Sequence, residues 1–208
     1  MDFCILIPTI NQKVLLGEAL LHYALLYPKT HKYILDNGHQ EIEPYDENTK
    51  IYVSESNLGV AASWNFLIKK AIKDGHTNFL ILNDDIILKL DESTIKSIIT
   101  KWNEAFIVCR PFYNWCSFIL TKNIYDKVGE FDENFKICYF EDNDYKYRMD
   151  LQGIKIQYED LLAPEVFNNS MTIKKDPTLN NFDNNRQYYI EKWGELPNNE
   201  QYKTPFNK

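Results

Sequence analysis

The sequence predicts an α/β protein with a mostly parallel, Rossmann-like central sheet and helices on both faces. Three observations lead to this. Short runs that are apolar throughout, such as Phe3-Cys4-Ile5-Leu6-Ile7 and Phe79-Leu80-Ile81-Leu82, have the length and continuity of strands buried on both faces. These runs alternate with segments of helical apolar spacing, the pattern of β-α-β units. Polar residues stand directly after the apolar runs, at Pro8-Thr9, Asp36-Asn37-Gly38 and Asn83-Asp84-Asp85. That is the carboxyl edge of the sheet, where open α/β sheets bind ligands.

In chain order, the strand at residues 3–7 is closed by Pro8-Thr9. Residues 11–27 read as a helix with Val14, Leu15, Ala19, Leu21, Leu25 and Leu26 as its apolar positions, and Pro28 stops it. Tyr33-Ile34-Leu35 is a second strand, ended by the turn signal Asp36-Asn37-Gly38. Ile51-Tyr52-Val53 is a third, and a helix over residues 60–73 follows. Asn65 falls inside the buried stripe of that helix, so its amide needs hydrogen-bond partners, either a neighbouring loop or a ligand. Residues 79–82 form the fourth strand, and Asp91 is placed to cap a helix through Ile95, Ile98, Ile99 and Trp102.

Residues 106–109 and 116–120 read as further strands, with the aromatic stretch Arg110-Pro111-Phe112-Tyr113-Asn114-Trp115 between them. A short helix at 122–128 ends at Gly129. Glu141 and Asp142 open a helix that runs to about Gly153, where the positive end of the helix dipole favours them and lowers their pKa. Within it, Asp144 and Arg148 are spaced to pair, while Tyr145 and Met149 face the core. Residues 154–156 and 166–167 read as short strands, and residues 178–193 as a helix. The expected organisation is one domain over residues 1–194 and a loose polar tail over 195–208.

Composition narrows the function classes. The 208 residues carry a formal net charge of -7 with no block of Lys and Arg, which argues against nucleic acid and against a polybasic membrane patch. No apolar segment is long enough to span a membrane and no leader peptide is evident. The four cysteines have no C-x-x-C spacing and the four histidines no metal-ligand spacing, so buried thiols in a reducing cytoplasm are expected. Abundant Asn, Ile and Lys with scarce Arg fit an AT-rich genome such as that of a low-GC bacterium. Neither G-x-G-x-x-G nor G-x-x-x-x-G-K-[ST] occurs, which excludes the usual dinucleotide fingerprint and the P-loop.

Together, four segments in the first half and one extended segment in the second resemble the inverting family-2 glycosyltransferases of the GT-A fold, over roughly residues 3–172. Ile5-Leu6-Ile7-Pro8-Thr9-Ile10-Asn11 is similar to the opening strand motif, Leu35-Asp36-Asn37-Gly38 to the second strand end, and Asn57-Leu58-Gly59 with Asn65 to the N-x-G loop and helix asparagine. Leu82-Asn83-Asp84-Asp85 resembles the D-x-D motif in its N-x-D form. Gly129-Glu130-Phe131-Asp132-Glu133-Asn134-Phe135, then Glu141-Asp142-Asn143-Asp144 and Arg148, resemble G-x-F-D-E-x-F and E-D-x-D-x-x-x-R. The set is most similar to rhamnosyltransferase-like enzymes.

The resemblance implies a metal-dependent transfer of a sugar from a UDP-, dTDP- or GDP-linked donor to a glycan or glycoconjugate hydroxyl. It implies Asp85 as ligand to Mn²⁺ or Mg²⁺, Asp84 toward the ribose or acting through water, and Asn83 orienting the turn. Pro8, Thr9, Asp36, Asn37, Asn57 and Asn65 would lie on the donor side. Asp142 would be the general base toward the acceptor, with Glu141 as the fallback. Asn168 stands where the family often has His, and Asn37 where many members have a second Asp. A non-catalytic nucleotide-sugar or glycan-binding domain of the same fold is the alternative. A sugar nucleotidylyltransferase would carry a Gly-rich, Arg-containing loop where this chain has Pro8-Thr9-Ile10-Asn11-Gln12-Lys13.

Overall fold

The computed structural model describes residues 2–88, 90–109, 115–159 and 171–208. Seven strands form one sheet: β1 (Cys4–Thr9), β2 (Lys32–Asp36), β3 (Thr49–Val53), β4 (Asn78–Leu82), β5 (Phe106–Cys109), β6 (Ser117–Thr121) and β7 (Ile156–Glu159), in spatial order β3-β2-β1-β4-β6-β5-β7. All pairings are parallel except those of β6, which runs antiparallel to β4 and β5. The expected mostly parallel α/β sheet is therefore present. The residues expected as a strand at 166–167, the stretch 110–114 and Asn168 lie outside the described residues.

Alternating side chains of the strands feed two cores. On one face Leu6, Leu35, Phe79, Ile81 and Phe118 meet helices α2 (Val60–Lys73), α4 (Lys122–Val128) and α5 (Glu141–Leu151) through Trp64, Leu67, Ile124, Tyr145 and Met149. On the other, Ile5, Ile7, Ile34, Leu80 and Ile119 meet α1 (Lys13–Leu26) and α3 (Glu92–Lys101). Burial on both faces is why these strands read as unbroken apolar runs. Asp91 caps α3 as expected, accepting from the Thr94 amide at 2.9 Å, and Gly129 ends α4 at φ +88°.

Helix α1 turns a different face inward from the one its spacing suggested. Leu16, Ala19, Leu20 and Tyr23 are buried, while Val14, Leu21 and Leu25 are exposed. The helix is apolar nearly all round, so periodicity cannot select a face. Hydrogen bonds of the face that is buried help to select it: the Tyr23 hydroxyl donates to the Ile86 carbonyl at 2.5 Å, and that of Tyr27, just past the helix, to the Leu90 carbonyl.

The C-terminal region departs further from expectation. A short α6 (Met171–Lys175) and a 3₁₀ turn at Pro177–Leu179 precede α7 (Phe182–Trp193), where one helix from residue 178 was expected. Asp176 caps the 3₁₀ turn, and the Asn180 side chain accepts from the Phe182 amide at 3.0 Å, so local polar side chains restart the chain as a new helix. Helix α7 packs on α5 through a third cluster of Phe135, Phe140, Tyr147, Tyr189 and Trp193. Within the segment expected as a loose tail, residues 200–202 are tied back onto α5 and α7. The Tyr202 amide donates to the Trp193 carbonyl at 3.0 Å and the Tyr147 hydroxyl to the Tyr202 carbonyl at 2.8 Å, while the Tyr189 hydroxyl donates to Glu200.

Candidate active site

Strands β1 and β4 are paired only from Cys4–Phe79 to Leu6–Ile81. Beyond that they part, with β2 on one side of β1 and β4 on the other, so the cleft lies at the topological switch point of the sheet. A cavity of about 280 Å³ opens there. Its strand side is Pro8, Thr9, Ile10, Asn37, Asn83, Asp84 and Asp85; its helix side is Asn57, Gly59, Val60, Ser63 and Trp64. Across from these lie Ile137, Cys138, Tyr139, Glu141 and Asp142 at the start of α5, with Trp115, Cys116, Thr172, Ile173 and Leu179 completing the wall.

The structure thus brings Pro8, Thr9, Asn37, Asn57, Asn83, Asp84, Asp85, Glu141 and Asp142 to one cavity, but not Asp36 or Asn65. Asp36 is fully buried and accepts from the Gly38 amide at 2.8 Å, the Gln40 amide at 2.5 Å and the Gln40 side chain at 3.0 Å. Its carboxylate braces the loop after β2. Asn65 donates to the Phe131 carbonyl and to Glu133, both at 2.9 Å, and accepts from the Phe131 amide at 2.9 Å. It fastens the 131–133 loop to α2. Its placement inside the apolar stripe of α2 meets a loop rather than a ligand.

Asn37 lines the cavity with both ends of its amide engaged. Its nitrogen donates to Ser63 at 3.0 Å, and its oxygen accepts from Ser54 at 3.2 Å and the Leu58 amide at 3.1 Å. Asn57 accepts from the Gly59 amide at 3.0 Å, shaping the turn into α2. Asn83 is tied through its backbone amide to the Cys116 carbonyl at 2.9 Å. Gln40 and Gln12, which no motif singled out, link this edge to the C-terminal region. The Gln12 amide donates to Gln40 at 2.6 Å, and the Gln12 side chain donates to Thr172 at 3.0 Å.

The two aspartates after β4 differ in their surroundings. Asp84 accepts from the Thr9 hydroxyl at 2.7 Å and the Ile10 amide at 3.4 Å. Burial pushes its carboxyl up from the ordinary 3.8 to about 7, helped by the charge of Asp85 and opposed by the Thr9 hydrogen bond. Burial also raises Asp85. Asp85 Oδ1 is buried with no hydrogen-bond partner among the described residues, a costly state for a carboxylate unless a cation or donor meets it.

On the opposite wall, Glu141 and Asp142 open α5. Burial, and then the charge of Asp142, hold Glu141 well above the ordinary carboxyl range, and its Oε2 also lacks a partner among the described residues. Asp142 is raised by burial, opposed by the amides of Asn143 and of Asp142 itself. The expected lowering of Asp142 by the helix terminus is therefore reversed, because removal from water outweighs the helix end. Such a shift suits a group that takes up a proton, since a carboxyl of higher pKa is the stronger base.

The backbone before α5 is unusual. Ile137, Tyr139 and Phe140 have φ of 61°, 83° and 71°, a region that costs about 1–2 kcal/mol per residue with a Cβ. The Val60 amide at the start of α2 donates to the Ile137 carbonyl at 2.7 Å. A Cβ at Gly59 would lie 2.8 Å from the Ile137 nitrogen, so only glycine permits this approach. Nothing in the residue types of 137–140 signalled this conformation. Asp144, by contrast, pairs with Arg148 at 2.9 Å as its spacing suggested, and also accepts from Trp193 at 2.8 Å and Lys192 at 2.6 Å.

A divalent cation fits this donor set in part. Four carboxylates face a cavity whose described lining contains no Lys, Arg or His, and Asp85 offers a buried oxygen with no partner among the described residues. No group of three or more His, Cys, Asp or Glu among the described residues is arranged to enclose a metal ion. No helix among the described residues is long and apolar enough to cross a membrane.

By sequence, the chain matches no protein-family model and no curated protein. By structure, it is similar to the mannosyltransferase PcManGT from Pyrobaculum calidifontis, solved with GDP-Man and Mn²⁺. The identity is 11% and the TM-score 0.60, over 76% of this chain and 54% of that one. It is similar to the catalytic domain of Drosophila beta1,4galactosyltransferase 7, with 9% identity and a TM-score of 0.53 over 79% and 68% of the two chains. It is also similar to a protein assigned as a glucose-1-phosphate thymidylyltransferase from Bacillus anthracis, with 9% identity and a TM-score of 0.53 over 76% and 86%. The chain thus spans about half the length of the mannosyltransferase it matches. The fold is that of the nucleotide-diphospho-sugar transferases, the GT-A-like arrangement.

Proposed function

We propose that this protein is a divalent-cation-dependent, inverting glycosyltransferase of the rhamnosyltransferase-like, family-2 kind that its motifs resemble. It would move a sugar from a nucleoside-diphosphate donor to a hydroxyl of a glycan or glycoconjugate. The observation that carries this reading is the pairing of carboxylates across one cavity, Asp84 and Asp85 on the β4 side and Glu141 and Asp142 on the α5 side. A diphosphate brings negative charge into a cavity that offers no basic side chain among its described lining. Mn²⁺ or Mg²⁺, which prefer carboxylate and phosphate oxygens, would offset the charge that develops on the leaving diphosphate.

In this reading Asp85 is the side chain that holds the cation, through the oxygen that lacks a partner among the described residues. Asp84, fixed by Thr9 and Ile10, stands toward the ribose or acts through water. Asn37, Asn57 and Pro8 wall the donor side, and Asn83 keeps the turn in register through its bond to Cys116. Asp142 takes the proton from the attacking acceptor hydroxyl, and burial makes it a stronger base than a solvated aspartate. Glu141 beside it, lifted by burial and by the charge of Asp142, is the fallback for the base role. Asp36 and Asn65 support the cavity from outside it. The reducing interior of the cell is the setting that suits the thiols of this chain.

The test is calorimetry with UDP-, dTDP- and GDP-sugars in the presence of Mn²⁺ or Mg²⁺, followed by transfer and donor-hydrolysis assays. Wild-type protein should bind one donor class and turn it over. Asp142→Asn should keep donor binding and lose transfer by about a hundredfold to ten-thousandfold. Full transfer by that variant would remove Asp142 from the base role. Binding without turnover in the wild type would identify a nucleotide-sugar-binding domain instead.

A further inference from the structure

The segment that carries Glu141 and Asp142 into the cavity is held from outside the site by one side chain of α7. Asn185, buried to 2% exposure, donates from its amide nitrogen to the carbonyls of Lys136 at 2.8 Å, Cys138 at 2.8 Å and Tyr139 at 3.0 Å. Its oxygen accepts from the Lys136 amide at 3.1 Å. The remaining carbonyl, that of Ile137, is met from the other side by the Val60 amide of α2. The two N–H bonds of Asn185 are shared among three carbonyls, of which that of Lys136 also accepts from Asn181 at 3.2 Å, so the carbonyls of Cys138 and Tyr139 depend most on Asn185. Ile137, Tyr139 and Phe140 have positive φ, and backbone of this kind persists only where its surroundings over-determine it.

We propose that Asn185 is a positioning residue for the acceptor-side carboxylates, acting through residues 136–140 rather than by contact with substrate. The proposal rests on the reading of Asp142 as the acceptor-side base. Asn185 does not line the cavity, yet without its amide nitrogen the carbonyls of Cys138 and Tyr139 lose the bonds that hold the turn into α5. Helix α7 itself stays in place by other means. Lys192 bridges Asp132 and Asp144 at 2.6 Å each, Tyr188 donates to Asp132 at 2.9 Å, and Trp193 donates to Asp144 at 2.8 Å. Loss of the Asn185 amide should therefore free the turn without unfolding the helix.

The experiment compares Asn185→Ala and the near-isosteric Asn185→Asp with wild type and with Tyr189→Phe. The last loses a hydrogen bond of the same helix, to Glu200, and leaves the turn intact. Both Asn185 variants should lower kcat for transfer about ten- to a hundredfold, as a displacement near 1 Å does. Donor affinity should stay within about twofold, because the donor side is built on β1, β4 and α2. Tyr189→Phe should lower the melting temperature without lowering kcat. Amide hydrogen exchange over residues 137–142 should rise in the Asn185 variants and not in Tyr189→Phe, whether or not a transfer activity is found. Unchanged exchange there, or unchanged kcat in a wild type that transfers, overturns the proposal. A wild type without transfer, but with the exchange change, overturns the functional reading and leaves Asn185 as the clamp of this turn.

Discussion

The Thr9 hydroxyl at the end of β1 donates to Asp84 Oδ2 just past β4 at 2.7 Å, bridging two strands whose pairing has already stopped at Leu6 and Ile81. This bond spans the mouth of the sheet at the point where the chain order reverses. It holds a buried carboxyl, which is why the pKa of Asp84 matters to stability as well as to binding.

The pKa of Asp84 in the folded protein is about 7, above its ordinary 3.8. The folded state therefore binds this proton more tightly than the unfolded chain. The resulting stability is complete below about pH 4 and is lost as the pH rises through about 7, a difference on the order of 4 kcal/mol. Asp84→Asn should match the wild type at low pH and exceed it in melting temperature near pH 8, both measured with chelator present. A difference between variant and wild type that is the same at the two pH extremes would show that folding does not shift the Asp84 carboxyl.

Asp85→Asn should separate stability from binding. Replacing a buried carboxylate whose Oδ1 lacks a partner among the described residues by an uncharged amide should raise the melting temperature of the metal-free protein. The same change should weaken Mn²⁺-dependent nucleotide-sugar binding at least about tenfold, a loss of about 1.4 kcal/mol. Calorimetry with and without Mn²⁺ reads both halves. Metal-dependent donor binding at wild-type strength would assign the cation to other oxygens.

Asn65→Ala should behave as a fold mutation. It removes the bonds to the Phe131 backbone and Glu133 and leaves buried groups of the 131–133 loop unmatched, which should cost about 2–4 kcal/mol in urea denaturation. Donor affinity of the folded fraction should stay near wild type. A large loss of donor affinity with stability intact would return Asn65 to the donor side.

Gly59→Ala places a methyl group 2.8 Å from the Ile137 nitrogen and forces φ +80° on a residue with a Cβ. We expect a loss of about 1–3 kcal/mol together with reduced transfer, since the contact joins α2 to the turn before Glu141. A variant with unchanged melting temperature would show that the turn can retreat.

Strand content was legible in the residues for a simple reason. A strand buried on both faces must be apolar throughout, and polar residues at its end stand out against that run. Residues 79–82 followed by Asn83-Asp84-Asp85 show this, and the structure puts all three polar residues on the cavity. Capping was equally local, as at Asp91. Helix α1 was less legible because Val14, Leu21 and Leu25 are as apolar as the residues it buries. The ties of residues 200–202 were not legible because their partners, Trp193, Tyr147 and Tyr189, lie on helices that meet this segment only when the chain packs.

The sequence by itself determined the parallel sheet, the carboxyl-edge aspartates and the acidic start of α5, because each depends on neighbours within a few residues. Only the tertiary structure decided which of these meet. It put Thr9 on Asp84 and Asn65 on the 131–133 loop, reversed the expected pKa direction of Asp142, and clamped the strained turn of residues 137–140 between α2 and Asn185. Those outcomes depend on desolvation and on hydrogen bonds between residues far apart in the chain, such as Asn185 and Tyr139, whose partners are chosen only when the elements pack.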